Sequence, residues 1–482
     1  MKYVSKITTL LIIVIFIIQS CNKDDFITDA NAKLQFSKDT VFFDTVFNGV
    51  GSATRYFIVY NPHSSPINIS NIELAKGTSS KYRLNINGNP TNFAENIEIA
   101  AEDSMFIFVD VQIDTNTDNI IEEDQVVFNT NNNLQAVNLL AFGQNVHLLN
   151  DSVINSQTWT NDKPYVIFNS MALNENETLN IEAGAKIYSH RDSRIIILGT
   201  LNVNGTFDEP VIFDADRLNG HSSIFFDNDS TDNYDDVAGQ WGGIWLTKLS
   251  KNNNINFANI NNAVIGIQVD SVGQENSFQL KIHNTKIEHH SYAGILAIES
   301  SIFASNCLLT DCGYYNLAIT RGGSYEFYHT TFGNYWNAPR QTPAIYLNNY
   351  FKYDETIYIY QLEKAYFGNC IIWGSNDTEI GIEQHEAGDI FNYTFENSII
   401  KVDKESDIDI SDNEHFINTI NNNDPLFTDY YEYNFTLQEN SSAINSGAIE
   451  ITNLYPEYLC NDLNNETRIS DDAPDCGCYE FK

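Results

Sequence analysis

Five aspartates, Asp227, Asp229, Asp232, Asp235 and Asp236, crowd a short segment just ahead of Trp241 and offer the oxygen ligands that calcium takes. Their spacing lacks the turn glycine and the closing glutamate of an EF-hand loop, so a solvated acidic loop is the simpler reading and calcium the alternative. A second concentration is aromatic. Among the rings between Tyr314 and Trp373, Tyr314, Tyr315, Tyr328, Trp336, Tyr358 and Tyr360 are candidates for a platform on which the C–H faces of sugars pack. Rings that merely cover the protein's own strands are the competing reading. In Thr356-Ile357-Tyr358-Ile359-Tyr360 the alternation sends tyrosines to one face and isoleucines to the other. Third, Asn284, Asn306, His329, Asn369 and Asn397 fall in one register. Amides that point inward, stack and satisfy buried backbone groups explain this row better than a catalytic His329, for which the sequence fixes no partner.

The elements that must position these residues are strands. VFFDTVF (41 to 47), RYFIVYN (55 to 61), INISNIEL (67 to 74), MFIFVDVQI (105 to 113), DQVVFNT (124 to 130) and AVNLLAFG (136 to 143) are β-branched, aromatic, strand-length runs. Turn pairs such as Asn61-Pro62 and Asn87-Gly88 separate them. Six or seven strands in about 110 residues make a β-sandwich. The order Val59-Tyr60-Asn61, Pro66-Ile67-Asn68-Ile69 and Leu140-Ala141-Phe142-Gly143 resembles immunoglobulin-like domains of the ASPM/SPD-2/Hydin type. That resemblance covers residues 33–147 and implies a spacer or interaction module without an active site.

Beyond Trp159 the strands shorten and repeat. IHNTKI (282 to 287), ASNCLL (304 to 309), FYHTTF (327 to 332), FGNCII (367 to 372) and FENSII (395 to 400) end on apolar residues spaced 22, 23, 40 and 28 apart. The step of 40 requires an extra rung or a long loop between Trp336 and Tyr366. Strands repeating at this period without helices describe a stacked β-coil. Gly199-Thr200-Leu201, Pro210-Val211-Ile212-Phe213 and Trp241-Gly242-Gly243-Ile244 resemble the opening coils of the right-handed parallel β-helix, or pectin-lyase-like, fold. Asp424-Pro425-Leu426-Phe427 and Gly477-Cys478-Tyr479-Glu480 resemble its closing segment. The expected fold is therefore all-β, an immunoglobulin-like sandwich followed by a β-helix over residues 150–482. YDDVAGQWGGIWL (234 to 246) and RGGSYEFYHTTFGNYW (321 to 336) also resemble a narrower family of Bacteroidota surface lipoproteins.

Enzymes of that fold cut polyuronates, so their catalytic patterns are a test. Polygalacturonases carry Asn-Thr-Asp, paired aspartates, Gly-His-Gly and Arg-Ile-Lys along successive coils. Here Asn116-Thr117-Asp118 lies in the sandwich, Gly220-His221 lacks its second glycine, and Arg-Ile-Lys is missing. A lyase needs a basic residue to take the proton beside the uronate carboxyl. Lys281, Lys286, Arg321, Arg340 and Lys364 are the candidates, with no constellation to single one out.

The address is written at the start. Lys2 and Lys6 precede an apolar run from Ile7 to Ile18, too short to span a membrane, and Ile18-Gln19-Ser20-Cys21 resembles a lipoprotein lipobox. The resemblance implies a signal peptide over residues 1–20, acylation of Cys21 and a tether over residues 21–32. Lys23, Asp24 and Asp25 resemble the signal that sends Bacteroidota lipoproteins to the outer face of the outer membrane. With 64 acidic against 26 basic residues and a net charge of −38, the chain repels nucleic acid. An oxidising compartment permits disulfides. Cys307 and Cys370 lie two rungs apart, about 9.6 Å, beyond the roughly 7 Å reach of a disulfide, and are expected to be free. Cys460, Cys476 and Cys478 are candidates for one bridge, from Cys460 to either of the others, stapling the last coil. The expectation is a non-catalytic lipoprotein that requires no cofactor and binds neutral glycan or a surface protein. A polysaccharide lyase or glycosidase, and a purely structural surface protein, are the alternatives.

Overall fold

The structure is a computed structural model describing residues 25–114, 121–218, 237–271, 277–388, 390–470 and 472–482. Cys21 and the five aspartates from Asp227 to Asp236 lie outside the described residues. The chain divides into two compact units, one ending at Asn145 and the other beginning at Val146.

Among the described residues the first unit is a sandwich of two five-stranded sheets. One holds β1 (Gln35–Phe36), β3 (Arg55–Tyr60), β8 (Ser104–Val111), β5 (Tyr82–Ile86) and β6 (Asn89–Pro90). The other holds β2 (Thr40–Phe47), β10 (Asn133–Gln144), β9 (Ile121–Thr130), β4 (Ile67–Leu74) and β7 (Phe93–Ile99). Alternation supplies the core: Phe57, Val59, Ile69, Ile107, Val109, Val126 and Phe128 are buried between the sheets. Two turns follow from their residues. Asn87 and Gly88 both adopt positive φ, as a two-residue turn between β5 and β6 requires. The Asn61 amide donates to the carbonyls of Ser65, Ile99 and Ala100, closing the corner after β3. β5 and β7, and the two-residue β1 and β6, are not among the strands expected from the sequence. β7, FAENIEI, is polar enough to hide its pattern.

Among the described residues the second unit forms one continuous stack of 26 strands, paired in parallel from coil to coil. Inward side chains repeat at the same height. Ile195, Ile244, Ile267, Ile295, Leu317, Ile345 and Ile380 are successive register partners, all buried. Further along, the rings of Phe327, Phe367, Phe395 and Phe416 stack at 5.2, 4.7 and 5.5 Å, nearly coplanar. Each apolar residue buries its area against the coils before and after it, which makes the stack one continuous core. Phe332 pairs directly with Ile372, so the 40-residue step adds no rung. It holds instead a long coil with a strand at Ile345–Asn348 and a hairpin of Tyr350–Tyr353 with Thr356–Ile359.

The register of Asn284, Asn306, His329, Asn369 and Asn397 is real, but these residues form a corner rather than an inward ladder. All five have φ between 45° and 54°, the left-handed region asparagine tolerates. Three links run along the stack: Asn284 Nδ2 donates to Asn256 Oδ1 at 2.9 Å, Asn306 Nδ2 to Asn284 Oδ1 at 3.2 Å, and Asn369 Nδ2 to His329 Nε2 at 3.0 Å. The other bonds reach the C-terminal segment. Asn369 exchanges hydrogen bonds with both backbone groups of Ala448, and Asn306 Nδ2 donates to the carbonyls of Tyr458 and Asn461. Arg468 Nη2 donates to Asn306 Oδ1, and Arg468 Nη1 pairs with Glu480 at 2.6 Å. His329 is buried and held neutral by that burial and by Arg468. Its ring nitrogens meet Asp475 O, Thr452 Oγ1 and Asn369, which leaves it no catalytic freedom.

The C-terminal segment thus runs along the flank of the coils instead of stapling the last one. Phe427, Phe435, Leu437, Cys476, Cys478 and Tyr479 pack on Leu308, Ile371 and Ile399. Gly333 makes room, because a Cβ there would sit 2.4 Å from the Phe435 ring. The expected tail disulfide is not formed: Cys460, Cys476 and Cys478 are free, as are Cys307 and Cys370. Cys460 is exposed after a short helix, whereas Cys476 and Cys478 face the coils, so the segment's packing separates them.

Candidate functional site

A lateral cleft of about 670 Å³ crosses five neighbouring strands of the second unit: Arg194–Ile197, Gly243–Leu246, Ile265–Asp270, Ala293–Ser305 and Tyr315–Tyr328. Alternation decides what reaches it. Ile195, Ile244 and Ile267 point into the core, so Ile196, Trp245 and Gln268, aligned in register, point out. The chain bends through Ser271, just past its strand, and through Glu299 and Arg321 within the two longer strands, with φ of 61°, 49° and 61°. This corner raises Glu299 and Arg321 as one wall, with Lys248 also lining the cleft.

Trp245 is the fixed point. Its indole Nε1 donates to Asp270 Oδ2 at 2.7 Å, while Gln268 Nε2 donates to Asp270 Oδ1 at 2.8 Å. Both carboxylate oxygens are thereby committed, and Asp270 orients the ring. Burial raises the carboxyl pKa of Glu299, and the nearby Arg321 opposes that rise. The Arg321 guanidinium also lies over Phe351 of the hairpin, 4.0 Å from the ring centre. The arrangement offers an apolar ring on the floor with charged donors and an acceptor on the wall, which suits a ligand having apolar faces and polar edges.

Of the aromatic candidates, Tyr314 is 51% exposed and Tyr315 half-buried. Both belong to a group with Tyr292 and Tyr346, at ring distances of 5.2 to 6.4 Å. Tyr328 is removed from the platform: it is 2% exposed, covered by Tyr455, and its hydroxyl donates to Glu326. Trp336 is half-buried against Gly313. Tyr358 is exposed on the hairpin and Tyr360 half-buried at its base. Ile357 and Ile359 are exposed as well, because the hairpin shows both faces to solvent, so alternation there separates no inside from outside.

Among the five basic candidates only Arg321 lines the cleft. Arg340 is buried with Glu379 at 2.6 Å, and Lys364 pairs with Glu326 at 2.9 Å. Trp245, Asp270 and Glu299 were missed. The run Ile244-Trp245-Leu246 already held the signal for Trp245, since two inward aliphatics place the indole outside. Among the described residues no group of three or more His, Cys, Asp or Glu could hold a metal ion.

The family model described as right handed beta helix region matches residues 270–453. The comparison with curated proteins gives no match. Among solved structures, the chain is similar to a family 123 glycoside hydrolase from Clostridium perfringens at 9% identity and a TM-score of 0.18, covering 27% of this chain and 30% of that one. It is similar to an ASH/PapD-like domain of human CEP192 at 8% identity and a TM-score of 0.17, covering 26% of this chain and 94% of that one. Such scores carry no inference about function. The parallel register of the stack and the family match together identify the second unit as a right-handed parallel β-helix.

Proposed function

We propose that this protein binds glycan through the lateral cleft of its β-helix and acts as a non-catalytic surface receptor. The observation that carries the reading is Trp245 on the cleft floor, its ring orientation set by the hydrogen bond to Asp270. A sugar packs its C–H face on such a ring and meets Lys248, Glu299 and Arg321 with its hydroxyls. A net charge of −38 favours a neutral glycan over an anionic one.

The sequence around Cys21 supports a lipid anchor and the outer-membrane surface as the location, with the ASPM/SPD-2/Hydin-like sandwich as a spacer. A screen of the purified chain from Asn22 onward against a glycan array, with Trp245→Ala as control, tests the binding. Retention of neutral glycans lost in the variant is expected, and equal retention by both overturns it. Replacing Cys21 by Ser should abolish acyl labelling and release the protein from membranes. Membrane retention of the serine variant overturns the anchor.

One observation favours a second reading. Glu299, its carboxyl pKa raised by burial beside Arg321, has the environment of a general acid. Reducing-end or unsaturated-sugar release measured during the same screen separates the two, since a receptor releases neither.

A further inference from the structure

The geometry points to the hairpin of Tyr350–Tyr353 and Thr356–Ile359 as a second sugar-binding wall that extends the cleft to hold a glycan chain longer than the cleft itself. The inference rests on the glycan reading of the cleft and is carried by the chemistry of the hairpin's two faces. Phe351 is the register partner of Tyr358, and Tyr353 of Thr356, so Phe351, Tyr353 and Tyr358 share one face. Tyr350, Lys352, Ile357 and Ile359 share the other.

The two faces meet different surroundings. Tyr350 donates to Glu383 at 3.2 Å and meets the His385 ring at 5.5 Å, so its face is tied to the coil that follows. Phe351 lies under the Arg321 guanidinium at 4.0 Å, and Arg321 is itself a wall of the cleft. The aromatic face is therefore the one joined to the cleft. Phe351 carries Arg321 over its ring and is 37% exposed, while Tyr358 and Tyr353 are open, 48% and 68% exposed.

The topology explains the placement. The hairpin springs from the chain directly after Ile345–Asn348, which pairs with the Arg321-bearing strand. The cleft spans five strands, or about 19 Å at about 4.8 Å per step. A chain lying on Trp245 and running toward Arg321 meets the aromatic face next. A protein partner is disfavoured at this spot, because the ring face continues a cleft already shaped for an extended ligand and ends in solvent on a narrow two-stranded ribbon.

The test uses the full chain with ladders of neutral cello-, xylo-, manno- and malto-oligosaccharides, from disaccharide to octasaccharide, and compares wild type with Trp245→Ala and with the double variant Tyr353→Ala/Tyr358→Ala, which leaves the Phe351 contact with Arg321 in place. Both hairpin positions are exposed, so melting temperatures should match wild type. For the ladder that binds, the hairpin variant should bind hexa- to octasaccharides about tenfold more weakly and the disaccharide unchanged, the size expected for losing aromatic contacts. Trp245→Ala should weaken every length. Hairpin-variant affinities equal to wild type at every length, with Trp245→Ala still damaging, overturn the hairpin wall and leave the cleft standing. Absence of binding at all lengths to the wild-type chain overturns both.

Discussion

Trp245 and Asp270 sit on adjacent strands of the β-helix, and the 2.7 Å bond from the indole Nε1 to Asp270 Oδ2 fixes the ring where it lines the cleft. In the proposed glycan site this bond would act indirectly: Asp270 holds the ring, and the ring meets the sugar.

Asp270→Ala should therefore weaken glycan binding by about tenfold, since a hydrogen bond to a charged acceptor is worth about 1.5–3 kcal/mol and part of that cost falls on ring order. Asp270→Asn keeps an acceptor for the indole and should lose less. Isothermal titration of both variants checks the order, and equal affinities would mean that the ring needs no such support.

The buried pair of Arg340 and Glu379 fastens the loop between Trp336 and Ala344 to the coils. Glu379 accepts from Arg340 Nη2, from the Ala344 backbone at 2.8 Å and from the Asn376 backbone at 2.9 Å. Removing one charge strands the other, so Arg340→Met alone should cost about 3–5 kcal/mol. Arg340→Met combined with Glu379→Gln should cost less than the sum of the single changes. Denaturant unfolding of the set measures the coupling.

The inward rows were legible because each coil must bury an apolar residue at the same height. Ile287, Leu309, Phe332, Ile372 and Ile400 were aligned from sequence, and they are register partners on consecutive coils. Outward residues obey no such constraint. Asp270 and Trp245 are brought together only by the register between coils, which variable loops hide from anyone reading one line of text. The asparagine corner was legible as a row, yet its direction depended on left-handed backbone angles, and its partners lie some hundred residues away in the C-terminal segment. The hairpin's exposure was equally hidden, since TIYIY reads like any half-buried strand.

Asp311 gives the protein a pH dependence. Burial pushes its carboxyl up to about 7 from an ordinary value of 3.8; the Tyr335 N–H and Arg340 lower it and Glu288 raises it. One oxygen accepts from Tyr335 N at 3.0 Å, and Oδ2 has no hydrogen-bond partner among the described residues. The folded state thus holds this proton more tightly than the unfolded state. Its contribution is full below about pH 3.8 and is lost as pH rises through about 7, at up to about 1.4 kcal/mol per pH unit in that window. Asp311→Asn should flatten this part of the stability profile and raise stability at pH 8. Urea midpoints taken from pH 4 to pH 8 for both proteins check the sign.

The C-terminal segment should peel from the coils before they unravel, and the cysteines report it. Asn369 contributes three bonds to the corner, two to Ala448 and one to His329, so Asn369→Ala loosens the segment where it first docks. Cys460 is exposed and should react with a maleimide at once in either protein. Burial raises the thiol pKa values of Cys307, Cys476 and Cys478 to about 12, so these three should stay protected in the wild type. In Asn369→Ala, Cys476 and Cys478 should become reactive while Cys307, whose side chain packs with the inner apolar stack, stays closed. Mass mapping of the labelled peptides against time distinguishes the order. Simultaneous labelling of Cys307, Cys476 and Cys478 would mean that segment and coils open as one unit.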